Sequence, residues 1–300
     1  MPRTIVVGYE GSDHGDDALA LGRLLAGIAD GALVVVCAYP EDPLGESATG
    51  REIAEGLQAD AERTVERARA RLGSSAEGRV DLRAVAGPSP SQVLHAIAEE
   101  LSAEAIVVGA THHGKGLRLL TGATPAAVLD HAPCPVAVAP DGFRDAVHGA
   151  TGVRQVAVAF DGSAEARHAL EVAAAWARRS GARLRVVTAV SGASVGVYPP
   201  PPLDATAYEQ MAQLAREEAR RRVDEAIAAL GEGLVAEGAV LEGEPVATLV
   251  AESAGDDLLF AGSGGKGPFR RVLLGSVSTH LLREAACPVV VVPRGSGEPG

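Results

Sequence analysis

Two doubly wound α/β domains in tandem form the fold class that this sequence predicts. Three observations lead to it: the chain repeats itself, its strand-length runs are apolar throughout, and helical segments alternate with those runs. Residues 109–140 and 262–293 align without a gap at an offset of 153, sharing Gly109/Gly262, Gly114/Gly267, Arg118/Arg271, Leu120/Leu273, Gly122/Gly275 and Cys134-Pro135-Val136 against Cys287-Pro288-Val289. Upstream, the run Tyr9-Glu10-Gly11-Ser12 stands against Phe160-Asp161-Gly162-Ser163, each after an apolar stretch. The expected domains are 1–142 and 153–294, with a linker at 143–152 and a tail at 295–300. The seam at 141–152 is polar, contains glycine and lacks apolar periodicity.

The second copy shows the element order most clearly. Residues 155–160 are a continuous apolar run of strand length, and Ser163 is placed to cap a helix reaching about Arg179. A second strand covers 183–190. A proline-rich loop at 196–203 follows it, a candidate lid at the same end of the sheet, and then a long helix at 205–230 rich in Ala, Glu and Arg. A strand at 234–241, a helix at 245–253, a strand at 257–261, a helix at 276–285 and a strand at 288–292 complete a βαβαβαβαβ order. Apolar strands joined by helices imply a parallel sheet of five strands covered on both faces by right-handed crossovers. Ligands of such sheets bind beyond the carboxyl ends of the strands where strand order reverses, which directs attention to the loops after the first and fourth strands.

Composition narrows the function. The 300 residues are 47% hydrophobic and 22% charged, as in ordinary globular proteins. A net charge of -12 opposes binding to nucleic acid or anionic membrane, and 3% aromatic residues leave no stacking platform for single-stranded RNA. Cys37, Cys134 and Cys287 form no CxxC pair and have no metal-ligand spacing, so buried hydrophobic roles and a reducing, cytoplasmic setting are expected. The N-terminal run is too short for a signal core, and the longest charge-free stretch, 186–203, carries four consecutive prolines.

The residues with chemical promise stand after the first and fourth strands of the second copy. Gly262-Ser263-Gly264-Gly265-Lys266-Gly267 brings bare main chain, and Gly275-Ser276 opens the last helix, with the positive end of its dipole and a hydroxyl. Together they suit a polyphosphate. Asp161 stands across the same crevice, placed for a base or ribose. Taken alone, Asp161-Gly162-Ser163 is a capped turn and the glycine cluster another turn; their joint occurrence favours a site.

The pattern Gly262-x2-Gly265-x9-Gly275-Ser276, with Asp161-Gly162-Ser163 after the first strand and Cys287-Pro288-Val289 before the last, resembles the universal stress protein family over nearly the whole chain. The resemblance implies a Rossmann-like fold of the adenine nucleotide α-hydrolase-like kind. It also implies ATP with Mg²⁺, held at Asp161, Gly162, Val190, Gly262, Gly265, Lys266, Gly275, Ser276 and Val277. The nucleotide would be a regulatory ligand in stress response or dormancy signalling, with an unknown protein partner. A homodimer or a pseudo-symmetric monomer is implied too, with the last strands of the copies pairing edge to edge.

The first copy departs from the pattern. Gly109 and Gly122 remain, but Glu10 replaces the aspartate, His112 the second glycine and Ala123 the serine, with Thr124 one residue later. Weaker, different or no nucleotide binding is expected there. Residues 109–115 spell most of a Walker A loop, yet Gly116 stands where Ser or Thr must hold Mg²⁺ and the loop follows the wrong strand. His112-His113 lacks partners at ligand spacing and reads as loop polarity. No Ser/His/Asp arrangement or paired-carboxylate motif emerges, so hydrolysis is expected to be slow at most. A nucleotide-free adaptor of the same fold and an enzyme handling adenylates are the alternative readings.

Overall fold

The structure is a computed structural model that describes residues 3–41, 48–73, 79–110, 125–147, 152–191, 205–264 and 275–294. Two compact units meet in sequence between Gly152 and Val153. The first unit runs β1 (Thr4–Gly8), α1 (Asp13–Ala29), β2 (Ala32–Pro40), α2 (Ala48–Leu72), β3 (Val80–Gly87), α3 (Pro90–Glu100), β4 (Ala105–Gly109), α4 (Pro125–Leu129), β5 (Val136–Ala139) and α5 (Phe143–Val147). Its strands are parallel in the order β3-β2-β1-β4-β5. The second unit runs β6 (Gln155–Ala159), α6 (Ala164–Ser180), β7 (Arg183–Val190), α7 (Ala205–Ala229), β8 (Ala236–Glu242), α8 (Pro245–Glu252), β9 (Leu258–Gly262), α9 (Ser276–Glu284) and β10 (Val289–Val292). Its parallel order is β8-β7-β6-β9-β10, the same winding. Two doubly wound domains of five strands each are therefore present.

The strands β4, β9 and β10 are apolar throughout because helices cover both their faces. Ala105 to Val108 of β4, Leu258 to Ala261 of β9 and all four residues of β10 are buried. Burying each large aliphatic side chain contributes about 1.5–3 kcal/mol. The helix α6 meets the sheet through Ala166, Ala169, Leu170, Ala173, Ala174, Trp176 and Ala177. Trp176 packs at a tilt against Phe260 of β9, 6.5 Å between ring centroids, and Arg179 lies over its outer face at 4.8 Å. The Ser12 hydroxyl accepts from Gly15 N at 3.2 Å and the Ser163 hydroxyl from Ala166 N at 3.1 Å, so both first helices carry the expected caps. On the outer face of α7, Arg221 pairs with Glu218 at 2.7 Å and with Glu225 at 2.5 Å, a solvated face of opposite charges three and four residues apart.

Some boundaries shift by one or two residues. The strand expected from 234 begins at Ala236, and the helix expected to 253 ends at Glu252, where a 3₁₀ turn (Ser253–Gly255) takes over. Within the stretch read from sequence as linker, α5 forms and buries Phe143. Its start is held by α1, where the buried Asp17 carboxylate accepts from Gly142 N at 3.0 Å and Arg144 N at 2.9 Å. One buried aromatic in a polar stretch has no periodicity to announce it. Among the described residues, no helix is long and apolar enough to cross a membrane. The proline-rich loop at 196–203 lies outside the described residues.

All three cysteines are free and buried. Loss of hydration pushes the thiol of Cys37 up to about 11 and those of Cys134 and Cys287 up to about 12, so almost no thiolate exists near neutrality. At pH 8 a disulfide reagent should label none of them rapidly in the native protein and all three in denaturant. Fast native labelling of even one would contradict the buried assignment.

Candidate functional site

In the second unit β6 is flanked by β7 and β9, so strand order reverses between β6 and β9. Val158 lies opposite Phe260, and this register brings Asp161 and Ser263, three residues beyond each, to the same sheet end. Asp161 is exposed, and its Oδ1 accepts from Ser163 N at 2.9 Å, closing the turn from β6 into α6. Arg222 reaches over from α7, and its Nη1 donates to the Asp161 carbonyl at 3.4 Å. Its stem also lies beside Gly162, where a β-carbon would stand 3.5 Å from Arg222 Cδ. The crevice thus carries a fixed carboxylate and a guanidinium on its first-strand side.

On the fourth-strand side the main chain is unusually bare. A β-carbon at Gly262 would lie 2.8 Å from the Glu165 carbonyl carbon, so the end of β9 sits directly on the first turn of α6. This glycine serves strand-to-helix packing. Next, buried Ser263 donates its N–H to the Val292 carbonyl at 2.9 Å. Gly264 has φ +59, and a β-carbon there would lie 2.9 Å from Gly275 Cα. Gly275 N donates back to the Ser263 carbonyl at 3.0 Å. Ser278 completes the clamp, its hydroxyl donating to the Gly262 carbonyl at 2.8 Å. Gly275 has no side chain to cap α9, and among the described residues none caps its first-turn N–H groups around Ser276 and Val277. Ser276 is exposed and Val277 half-buried, while Val190 ends β7 half-buried, its carbonyl taken by Gly243 N at 3.1 Å.

The structure therefore brings Asp161, Gly162, Gly262, Gly275, Ser276 and Val277 to one end of the sheet. Val190 is there too, on the strand beyond β6. Gly265 and Lys266 lie outside the described residues. Sequence reading missed Arg222 and Ser278 and took Ser263 and Gly264 only as members of the glycine loop. Gly264 was visible as one glycine among several. The serine three residues into α9 and the arginine amid a charged helix had no signal apart from their position.

The first unit repeats the frame with a different interior. A β-carbon at Gly109 would stand 2.2 Å from the His14 carbonyl oxygen, so β4 also ends against the first turn of its helix. Arg67 of α2 lies against Gly11 as Arg222 lies by Gly162; a β-carbon at Gly11 would be 2.8 Å from Arg67 Nη2. Glu10 behaves unlike Asp161. Being one methylene longer, it reaches Ser12, whose hydroxyl donates to its Oε1, and its Oε2 lies 3.2 Å from where a β-carbon of Gly15 would be. The carboxylate is folded onto the start of α1. His112, Gly122, Ala123 and Thr124 lie outside the described residues, which resume at α4.

Fold and site together define a tandem doubly wound α/β protein with a strand-end crevice in its second unit. The model of the universal stress protein family matches residues 1–140 and 152–293. One universal stress protein of Mycobacterium tuberculosis is 30% identical over 305 residues, 97% of this chain and 99% of that protein. Another from the same strain is 32% identical over 295 residues, 96% of each. The crystal structure of a universal stress protein from Archaeoglobus fulgidus superposes with a TM-score of 0.65, covering 97% of this chain and 98% of that one at 20% identity, a likeness of fold. The chain belongs to the universal stress protein family, as two copies of its domain in tandem.

The contacts of Gly109 and Gly262 make a prediction independent of any ligand. Gly109→Ala and Gly262→Ala should each destabilise their own unit by about 1–3 kcal/mol, the usual cost of overpacking, with Gly109→Ala the worse because a β-carbon there would meet backbone at 2.2 Å against 2.8 Å at Gly262. Urea denaturation measures this. Unchanged midpoints would mean that the first helix turn is not seated on the strand end.

Proposed function

We propose that the second unit binds an adenine nucleotide, ATP with Mg²⁺, and that the first unit does not. The observation that carries this reading is the meeting of two bare backbone segments, Gly264 and Gly275, at an uncapped nine-residue helix start, opposite Asp161 where strand order reverses. Main-chain N–H groups at such a point suit phosphate oxygens, which need close donors and no intervening side chain. The outward oxygen of Asp161 suits the donors of a base or ribose, because the other oxygen already holds the turn rigid. Ser276 and Val277 complete the phosphate side and Val190 lines the base side; Gly265 and Lys266, outside the described residues, are assigned to the phosphates by the motif spacing alone. In the first unit the Ser12 hydroxyl occupies the Glu10 carboxylate, and Ala123 lacks the hydroxyl of Ser276.

Binding at that point ties together β6, β9 and α9, so the nucleotide acts as a conformational ligand that sets which protein partner is engaged, in a stress-response or dormancy role. Membership of the family and the acidic net charge agree with a protein that works away from nucleic acid and membrane surfaces. A nucleotide-free adaptor is the competing reading.

Isothermal titration with MgATP tests the proposal. The full chain should take up one equivalent, and ATP at about 100 times its dissociation constant should stabilise the second unit by about 2.7 kcal/mol. Asp161→Asn, which keeps an oxygen for Ser163 N, should weaken binding at least tenfold, while Glu10→Gln should not diminish it. No binding at millimolar MgATP would favour the adaptor. Two equivalents would refute the assignment of the first unit.

A further inference from the structure

We propose that His14, Asp17 and Asp141 of the first unit form a binding site for one divalent transition cation, zinc being the ion that suits the donor set best. This inference is independent of the nucleotide reading. An imidazole nitrogen and two carboxylate oxygens, one ligand atom from each residue, lie within 4.8 Å of one another. His14 and Asp17 stand three residues apart on the first turn of α1, on one helix face. Asp141 comes from the end of β5, beyond Pro140.

The donors are well placed. His14 Nδ1 and Asp141 Oδ1 are 3.5 Å apart. Ligand bonds of about 2.0–2.2 Å at a tetrahedral centre set neighbouring donor atoms roughly 3.3–3.6 Å apart, so this separation is one that a shared cation would impose. Asp17 is only 1% exposed, and each of its oxygens accepts one main-chain N–H, from Gly142 and from Arg144. Such outer hydrogen bonds orient a ligating carboxylate and leave lone pairs for a metal. His14 is seated by its own carbonyl, pressed by Gly109 at the end of β4. Asp141 is exposed, so its side chain is free to close the remaining gap, and solvent can fill a fourth ligand position.

The second unit provides an internal comparison. By the repeat, Glu165, His168 and Arg294 correspond to His14, Asp17 and Asp141. There Arg294 pairs with Glu165 at 2.6 Å, and the histidine faces Glu171 at 3.8 Å instead. The same tie between first helix and last strand is closed by opposite charges in one unit. In the other it consists of an imidazole and two carboxylates, with no arginine in Arg294's place. The guanidinium of Arg144 is drawn to Asp13 at 2.7 Å and Asp16 at 3.4 Å. One N and two O donors of this mixed hardness suit zinc or its first-row neighbours over calcium or magnesium.

Titration of the chelator-treated full chain with Zn²⁺ by calorimetry, and with Co²⁺ by visible absorption, tests the site. The expected result is one equivalent bound, with Co²⁺ giving the intense bands of a four-coordinate ion. Affinity should fall at least tenfold in His14→Ala and in Asp141→Asn. It should be unchanged in His168→Ala and in the double variant His112→Ala/His113→Ala, which removes the neighbouring histidine pair. Circular dichroism checks that each variant folds, and the surface variant Asp141→Asn decides should His14→Ala unfold. Absence of stoichiometric binding up to millimolar Zn²⁺ would overturn the proposal, leaving His14 and Asp141 as an ion pair. So would binding that survives the loss of Asp141 or follows His112 and His113.

Discussion

In each unit the fourth strand ends directly on the first turn of the first helix. Gly262 lies against Glu165, and Gly109 against His14, at separations that admit no β-carbon without displacement. This contact fixes where the helix dipole, the first-strand carboxylate and the fourth-strand loop stand relative to one another. In the second unit the rest of the crevice is built from it. Ser263 is anchored to β10, Gly264 abuts Gly275, and Ser278 reaches back to the Gly262 carbonyl. Glycine at the strand end is therefore a packing requirement before it is a binding feature, which explains why Gly109 persists in the copy where Glu10, His112 and Ala123 replace three other motif residues.

The two copies share a frame and differ in charge at equivalent places. Exposed Asp161 spends one oxygen on its own turn, while Glu10, one methylene longer, folds back onto its helix. Glu165 with Arg294 becomes His14 with Asp141. Substitutions of this size leave the sheet and its crossovers untouched because they sit at the strand ends, outside the buried β4, β9 and β10. Duplication of the domain thus leaves one frame with two differently charged strand ends.

The winding and strand count could be read from the sequence because buried parallel strands need unbroken apolar runs, and because the copies check one another. The family followed from the spaced glycines. Other features were hidden for identifiable reasons. Gly264 against Gly275 is a contact between main chains that carry no side chain to signal it. Arg222 is one arginine in a charged helix, and only the fold shows that it lies beside Asp161. The helix α5 rests on one buried phenylalanine and on backbone bonds to Asp17 from 125 residues away, beyond the reach of any local pattern.

The account's central claim is the asymmetry of the two crevices, and hydrogen exchange followed by mass spectrometry with and without MgATP tests it most directly. The account predicts slowed exchange in peptides that carry Ser163, Gly264 and the first turn of α9, with the peptides around Gly11 and Ala110 unchanged. Equal protection in both units, or none in either, would contradict it.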